Sequence, residues 1–376
     1  DANWFPDFPT SARQMIDFYT DSGGPSVDGV IAVNATFVAD LLTSLGSIDM
    51  PEYDRVIDAE NFLFEAQKIV ENEYDQTLNQ PKAFIADLAP KLLERLRSQR
   101  GEALITVANR LMRGLFERDI QIYFTDETLQ KVALTRGWAG QILQSPLDYL
   151  MLVNTNLGGG KTDGVIEENV KVDVDISTDG TVTNTVTITR SHRGIPGGLF
   201  TGVNNVTYAR LYAPEGSTLV HASGFSPPDR SLFETPNREA KDDDDLLFAS
   251  ANTQIDETTN TTVTKEFGKT VFGNWIQTAP GTTSTTTFIY TLPFKVKPEE
   301  RKTIRNFLRS TLGLPELSRY NLFVQHQSGV ENRRVEVEIH LPESFESVWS
   351  SSDLSSVIFD TKTDGTLSVL LEPVSL

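Results

Sequence analysis

The chain has 376 residues, of which 39% are hydrophobic and 23% charged, a composition typical of a folded protein with two or three domains. Its 52 acidic and 33 basic residues give a formal net charge of −19, which repels the phosphates of nucleic acids and the anionic face of a membrane. The absence of cysteine excludes disulfides, thiolate metal sites and cysteine nucleophiles. We therefore expect no nucleic acid partner.

No run of about 18 apolar residues is present, so the sequence predicts no membrane-spanning helix within it. The chain begins at Asp1 without an initiator methionine. We expect a longer natural protein in which a segment upstream of Asp1 supplies any membrane anchor.

Helical and strand patterns alternate over residues 1–160. The stretch DFPTSARQMIDFYTDSGG predicts a helix capped by Thr10 or Ser11. Residues 27–33 predict a short buried strand, and apolar residues spaced by three and four predict a helix directly after it, which Asn34 or Thr36 caps and Gly46 ends. A strand followed at once by a helix is half of a βαβ unit, so the pattern predicts a mainly parallel sheet.

Four more helical patterns and two strand patterns follow before residue 160. We expect Pro90 to kink or divide the second of these helices, because proline lacks the helical donor and clashes with the preceding turn. The helical patterns are DAENFLFEAQKIVENEY (58–74), PKAFIADLAPKLLERLRSQR (81–100), ALITVANRLMRGLFER (103–118) and DETLQKVALTRGW (126–138). The strand patterns are IQIYF (120–124) and YLMLVN (149–154). The sequence thus predicts an α/β domain over residues 1–160.

Apolar and polar residues alternate strictly after residue 160, which is typical of β-strands. The pattern on both sides of Asp179-Gly180 predicts a hairpin. Further strands are predicted at VTYARLYAP, TTVTKEF, TTTFIYTLPF, YNLFVQHQ, RRVEVEIHLP, SVIFD and LSVLL. A helical insertion is predicted near residues 298–312. Many short strands with frequent turns predict an all-β region over residues 161–376, built as one or two β-sandwiches.

The stretch TNLGGGKT (155–162) resembles a phosphate-binding loop. Such a loop needs glycine at its first position and a helix after it, but Thr155 occupies that position and the sequence beyond Asp163 alternates like a strand. We interpret the stretch as a glycine-rich turn between domains.

Three acidic stretches are candidates for a cation. DISTDG (175–180) and DTKTDG (360–365) lack the closing bidentate acid of a calcium loop, and KDDDD (241–245) is typical of a solvated loop. We predict hairpin turns at the first two and no cofactor, with magnesium or calcium as the alternative.

Local signatures of catalysis are missing. The four histidines show no metal-binding spacing, and no GxSxG motif is present. His192 stands between Arg190 and Arg193 at a strand end, which could hold an anion or form an ordinary surface strand end. A pair of catalytic carboxylates for glycoside hydrolysis stays an alternative, because the distance between two acids cannot be read from the sequence.

Five stretches together resemble an uncharacterised family of bacterial envelope proteins that are membrane-anchored at the N-terminus. They are PDFPTSA, VDGVIAVNATFVADLLTSLGSI, DYLMLVNTNLGGGKTD, FGNWIQTAPGTTSTTTFIYTLPF and YNLFVQHQSG. Part of that family's core is similar to the LytR-CpsA-Psr phosphotransferases, which pass glycopolymers from a polyprenyl-pyrophosphate lipid to the cell wall. The resemblance implies a LytR-CpsA-Psr-like α/β domain, complete or incomplete. No catalytic residue can be carried over, because the arginine-rich segment of the transferases has no counterpart here.

We therefore expect an extracytoplasmic, cell-surface protein that acts as a binding or structural module, with a cell-wall glycopolymer or another envelope protein as its partner. The alternative is a glycopolymer transferase or hydrolase. Ligands of α/β sheets gather beyond the carboxyl ends of strands. The candidate ligand-binding residues there are Asn34, Asn154, Asn156 and Lys161, of which only Lys161 offers a positive charge.

Overall fold

The computed structural model describes residues 2–73, 80, 82–233, 235, 253–297, 311–312, 317–360 and 362–374. The chain forms two compact units, Asp1–Ile142 and Leu143–Leu376. The boundary predicted near residue 160 therefore lies after Ile142. The physical reason is that the strand predicted at YLMLVN hydrogen-bonds to strands of the second unit.

The N-terminal unit is mainly helical. Its helices are α1 (Phe8–Asp21), α2 (Ala35–Leu45), α3 (Phe62–Lys68), α4 (Ala83–Ser98), α5 (Gly101–Phe116) and α6 (Glu127–Arg136), and a π-helical turn, Ile69–Glu73, follows α3. Its strands are β1 (Gly29–Val33), β2 (Ile48–Met50), β3 (Arg55–Ile57) and β4 (Ile120–Phe124).

The strands of this unit pair antiparallel, as β1 with β4 and β2 with β3. The prediction of a mainly parallel sheet is therefore wrong for the described residues. A parallel sheet is covered on both faces, whereas Ile31 in the middle of β1 is 65% exposed. The expected βαβ unit does not form because β2, after α2, pairs with the next strand in sequence instead of with β1.

Two local predictions about helices differ from the structure. Asp7 caps α1 instead of Thr10 or Ser11, because the Asp7 carboxylate accepts the Thr10 backbone N–H and the Ser11 hydroxyl donates to the Phe5 carbonyl. Pro90 does not divide its helix, which runs without interruption from Ala83 to Ser98.

Helix faces supply the buried apolar residues of the N-terminal unit. One cluster gathers Leu42 of α2, Phe62 of α3 and Phe84 and Leu88 of α4. A second cluster packs α2 against α5, with Phe37, Leu41, Leu45, Val107 and Ile120. Burial of each large side chain contributes about 1.5–3 kcal/mol to the free energy of unfolding.

The second unit consists of strands. They are β5 (Asp148–Asn156), β6 (Ile166–Ile176), β7 (Thr181–His192), β8 (Asn205–Pro214), β9 (Thr218–Ser223), β10 (Gln254–Asp256), β11 (Thr261–Glu266), β12 (Lys269–Thr278), β13 (Thr283–Lys295), β14 (Ser318–Val324), β15 (Arg333–His340), β16 (Phe345–Ser350), β17 (Val357–Phe359) and β18 (Gly365–Pro373). Residues 298–310 of the predicted helical insertion lie outside the described residues.

These strands form an eight-stranded and a six-stranded sheet. The eight-stranded sheet has the order β10-β11-β12-β8-β5-β14-β18-β16 and the six-stranded sheet the order β17-β15-β6-β7-β13-β9. Most pairs are antiparallel, while β5 with β14 and β6 with β15 are parallel. The predicted hairpin is confirmed, because β6 and β7 pair from Ile176↔Val182 onward on either side of Asp179-Gly180.

Both sheets bury one face in the same apolar cluster. Leu152 and Leu211 come from the eight-stranded sheet, and Val172 and Val186 from the six-stranded sheet. Strands β6 and β7 bury every second residue, as a strand with one core face requires. Strands β5–β18 therefore form one β-sandwich with one shared core, whereas the sequence left one or two sandwiches open.

Candidate binding end of the β-sandwich

Two glycine-rich loops lie at one end of the sandwich. The first, residues 157–162, leaves the end of β5, and the second, residues 193–204, joins the end of β7 to the start of β8. The starts of β6 and β15 lie there too, because β6 is antiparallel to β7 and parallel to β15. We call this region the loop end. Loops held by a rigid sandwich are a common place for binding residues.

A buried ionic cluster forms the base of the loop end. Glu168 of β6 is 4% exposed, and Arg190 of β7 lies with its Nη1 at 2.7 Å from Glu168 Oε2. Arg333 of β15 donates to the other carboxylate oxygen, and Asn154 Nδ2 donates to Oε2 at 2.7 Å. Burial alone would raise the pKa of Glu168, but the charges of Arg333 and Arg190 lower it below its usual range. The carboxylate is therefore ionised at neutral pH.

The same arginines link the two sheets and the first loop. Arg333 Nη1 donates to the Leu152 carbonyl of β5 at 2.7 Å. Arg190 Nη2 donates to Asn205 Oδ1 of β8 at 3.1 Å, and Asn205 Nδ2 donates to Thr162 Oγ1 at 2.8 Å. Buried ion pairs add little net stability, because desolvation of the charges offsets their attraction. The cluster thus sets the positions of the strands that carry both loops.

Asn156 shapes the first loop from within. Its Nδ2 donates to the Gly160 carbonyl at 3.0 Å, and its Oδ1 accepts the Gly159 N–H at 3.0 Å. A Cβ on Gly159 would lie 2.4 Å from Asn156 Oδ1, so this position requires glycine. A short 3-10 turn, Asp163–Val165, and then β6 follow the loop. The loop lies inside the second unit, so the interpretation as a turn between domains is wrong, and the helix that a phosphate-binding loop requires does not follow it.

His192 holds the second loop. It is 2% exposed, and its ring contacts the backbone at both ends of the loop. The predicted anion position beside it is not formed, since Arg190 binds Glu168 and Arg193 binds Glu167. The alternative prediction of a surface strand end is also wrong for this side chain, which is buried.

Exposed apolar side chains lie on and beside the two loops. We call them the apolar loop patch, and their exposed fractions run from 38% for Phe233 to 75% for Ile195. The patch consists of Ile195, Leu199, Val203, Leu232 and Phe233. A Cβ on Gly160 would lie 3.0 Å from Val203 Cγ2, and one on Gly158 would lie 3.7 Å from Leu232 Cβ. The first loop therefore separates two parts of the patch.

Three of the four predicted ligand-binding residues lie together at the loop end. Asn154 is part of the ionic cluster, Asn156 is inside the first loop, and Lys161 is exposed at the end of that loop. Asn34 belongs to the other unit, where its side-chain Nδ2 donates to Asp119 Oδ1 at 2.8 Å. Asn34 thus joins the start of α2 to the residue that precedes β4.

Sequence reasoning missed Glu168 and Arg333, and it did not predict the buried positions of Arg190 and His192. A signal for them exists, because β6, β7 and β15 alternate strictly and all four residues occupy the inward register of valine and isoleucine. Charged residues at core positions of alternating strands indicate a buried ionic group.

One group of side chains among the described residues could offer three ligand atoms to a metal. It consists of Asp173, Glu338 and His340 on the outer face of β6 and β15. Lys171 Nζ lies 3.0 Å from both carboxylates, so a lysine ammonium already binds the two acids. This arrangement is a surface salt-bridge cluster.

The two DG turns hold hydrogen bonds of their own. Asp179 accepts from Ser177 and from the Thr181 N–H, and it pairs with Lys295. Asp364 accepts the His326 backbone N–H at 3.0 Å. The prediction of a hairpin turn is confirmed for DISTDG, but it is wrong for DTKTDG, because β17 and β18 on its two sides belong to different sheets and pair with other strands. KDDDD (241–245) lies outside the described residues.

A second buried acid lies deeper in the sandwich. Asp148 accepts hydrogen bonds from the Tyr320 hydroxyl, from Asn184 Nδ2 and from the Tyr149 N–H. Burial raises the pKa of Asp148 to about 6, and these donors oppose the rise. Its carboxylate is fully enclosed, which leaves no access for a substrate.

Comparison with known proteins gives a family match for the first part of the chain. Residues 1–70 match the family "Protein of unknown function (DUF4012)". No curated protein matches this chain. In the described part of the chain, every helix is too short or too polar to cross a membrane.

Similar solved structures cover the chain in part. A protein of Legionella pneumophila named as nutrient binding has 9% identity and a TM-score of 0.26, over 60% of this chain and 71% of that one. An M1 zinc metallopeptidase of Deinococcus radiodurans has 13% identity and a TM-score of 0.19, over 57% of this chain and 45% of that one. Yeast LTA4 hydrolase has 7% identity and a TM-score of 0.25, over 62% and 32%. Likenesses this distant carry no argument about function.

Proposed function

We propose that this chain is the extracytoplasmic binding module of a bacterial cell-envelope protein, and that its sandwich holds another envelope protein at the loop end. The observation that carries the proposal is the apolar loop patch. Three large apolar side chains are exposed on the glycine-rich second loop and two more beside the first loop, at the end of the sandwich that a buried ionic cluster holds. Exposed apolar groups on a rigid base are typical of a protein interaction site.

Binding is favoured over catalysis because the charged groups of the loop end bind one another. Glu168 is enclosed between Arg190 and Arg333, and Arg193 binds Glu167. General acid and base catalysis requires a proton-transferring group within reach of a substrate. The buried acids, Glu168 and Asp148, lack that access.

A protein partner is favoured over a glycopolymer and over a lipid surface. Aliphatic side chains such as Leu199 and Val203 offer no hydrogen bonds to sugar hydroxyls, whereas they pack well against an apolar protein surface. The net charge of −19 opposes an anionic lipid surface and a second copy of this chain.

The location outside the cytoplasm is part of the same proposal. It is supported by the resemblance of five sequence stretches to bacterial envelope proteins. The absence of cysteine is compatible with it. The transferase alternative lacks a specific observation, because two arginines of α5, Arg110 and Arg113, both bind Asp40 and so leave no phosphate clamp between them.

Site-specific photo-crosslinking in cells that make the protein tests the proposal. A photoreactive amino acid replaces Leu199 or Val203 in the patch, and Val220 of β9 or Ile255 of β10 as matched exposed apolar controls. We expect both patch positions to capture one protein that the control positions do not capture. Equal products from all four positions, or none from the patch, would contradict the proposal.

A further inference from the structure

The second loop is closed by one imidazole ring. The backbone N–H of Gly194, near the start of the loop, donates to His192 Nδ1 at 3.0 Å. The carbonyl of Val203, near the end of the loop, lies 3.0 Å from His192 Nε2. One buried side chain thus connects both ends of the segment that carries Ile195, Leu199 and Val203 of the apolar loop patch.

These two contacts fix the protonation state of His192. A backbone N–H can only donate, so Nδ1 must carry a lone pair. A backbone carbonyl can only accept, so Nε2 must carry the hydrogen. The loop therefore requires the neutral ring with its proton on Nε2. In a doubly protonated ring, the Nδ1–H would point at the Gly194 N–H, and both groups would be buried donors without an acceptor.

We expect the second loop to change conformation once the contact between His192 and Gly194 is lost. Phe200 has a φ of 65°, a left-handed conformation that costs free energy in a bulky residue. Gly198 N–H donates to Ile195 O and Gly202 N–H to Gly198 O within the loop. The loop is tied to the rest of the unit at its two ends, where Arg193 N–H donates to Val165 O and Asn204 Nδ2 donates to Gln277 Oε1.

The charged groups around His192 are paired. On its own strand, Arg190 binds Glu168, and Arg193 just beyond binds Glu167. The first loop continues into Asp163, which lies 3.5 Å from Arg190 Nη2. The turn packed on the other side, residues 279–282, carries no charge. Because the pKa values of Glu167 and Glu168 are lowered, both acids stay ionised between pH 5 and 8.

We propose that protonation of His192 in mildly acidic solution opens the loop at residues 193–204 and disperses the apolar loop patch, so that the partner is released. The release of the partner rests on the proposed function, whereas the opening of the loop does not. Histidine is the side chain that ordinarily changes charge between pH 5 and 8. The geometry points to a loop end that binds its partner at neutral pH and releases it in acid.

Hydrogen–deuterium exchange of residues 193–204 tests the opening without any partner. The exchange rate is measured at pH 7.5 and 5.5. Protection is the intrinsic exchange rate at each pH divided by the measured rate. We expect protection in the wild type to fall by about two- to ten-fold at the lower pH, the effect of losing one hydrogen bond. In His192→Gln, which keeps a donor near Val203 O and does not titrate, we expect protection to be independent of pH. His221→Gln, on the exposed strand β9, should respond as the wild type does.

Wild-type protection that stays constant between the two pH values would overturn the inference and leave the proposed function standing. A second measurement needs no variant of His192, in case that variant fails to fold. The chain has four histidines, so selective ¹⁵N labelling resolves their ring nitrogens. We expect one ring with an unprotonated Nδ1 and a protonated Nε2 at pH 7.5, assigned to His192 by its retention in His221→Gln, His326→Gln and His340→Gln. The opposite tautomer, or a charged ring, would contradict the geometry.

Discussion

Arg190 Nη1 lies 2.7 Å from Glu168 Oε2 in the interior of the β-sandwich, where 1% of the arginine and 4% of the glutamate is exposed. The pair joins adjacent strands, β6 and β7, directly below the two glycine-rich loops. A second arginine, Arg333 of β15, binds the other oxygen of the same carboxylate. Because the three side chains come from neighbouring strands of one sheet, the cluster fixes the loop end from which both loops extend.

Replacement of Glu168 by glutamine should destabilise the protein strongly. The change removes the carboxylate that two buried guanidinium groups share, and loss of one partner of a buried ion pair costs about 3–5 kcal/mol. Urea denaturation at pH 7 measures the free energy of unfolding. The matched control is Glu167→Gln, the next residue along β6, whose exposed pair with Arg193 should contribute little. Similar losses in the two variants would argue against the ionic cluster as the base of the loop end.

Replacement of Gly159 by alanine should distort the first loop. Its Cβ would lie 2.4 Å from both Asn156 Oδ1 and Val206 N, and relief of such a clash costs about 1–3 kcal/mol. Gly164→Ala is the control, because nothing lies within 4 Å of its Cβ. Thermal unfolding should show a lower midpoint for the first variant and an unchanged or higher midpoint for the second. An unchanged midpoint in Gly159→Ala would show that the loop adapts.

Asp148 should make stability depend on pH between 4 and 7. Its pKa is about 6 in the folded protein and about 3.9 in an unfolded chain, so the folded state binds the proton more tightly. This contribution to stability is fully present below about pH 4 and is lost as the pH rises through 6, on the order of 3 kcal/mol in all. As the pH rises across this range, the free energy of unfolding of Asp148→Asn should increase by that amount relative to the wild type, as measured by urea denaturation. A constant difference would show that Asp148 does not titrate there.

Replacement of Leu199 by serine should leave stability almost unchanged. The side chain is 56% exposed, and substitutions at such positions usually change the free energy of unfolding by less than about 0.5 kcal/mol. Leu211→Ala, in the shared core, should cost about 2–5 kcal/mol. Urea denaturation of both variants makes the comparison. A large loss for Leu199→Ser would mean that the patch is part of the fold and not a binding surface.

Alternation of apolar and polar residues predicted most of the sandwich, because a strand with one core face has a period of two residues. The hairpin at Asp179-Gly180 and the strand Ile120–Phe124 are confirmed at or near their predicted bounds. Strands β9, β10, β12 and β16 of the sandwich were not predicted. Three of them, β9, β10 and β16, lie at sheet edges, and β16 has no buried residue. Strand β12 lies inside the eight-stranded sheet and buries consecutive residues, so it shows no period of two.

Strand pairing was the weaker part of the prediction. The segment Gly29–Leu45 has the local pattern of a strand and a helix, but its sequence does not encode that β1 pairs with β4, about ninety residues later, in the antiparallel sense. Asn154, Asn156 and Lys161 were predicted as ligand-binding residues because strand ends collect loops; they lie together at the loop end, and ligand binding by them stays a prediction. Glu168 and Arg333 were missed because a pairing between distant strands, and not a local motif, brings their charges together.

The most direct test of the proposed binding site is the affinity of the cross-linked partner for two matched double variants. One carries Leu199→Ser and Val203→Ser in the apolar loop patch, and the other carries Val220→Ser and Ile255→Ser at equally exposed apolar positions elsewhere. Loss of buried apolar contacts at the centre of an interface should raise the Kd of the first variant by about tenfold or more and leave that of the second unchanged. Equal affinities of the two variants would place the binding site elsewhere.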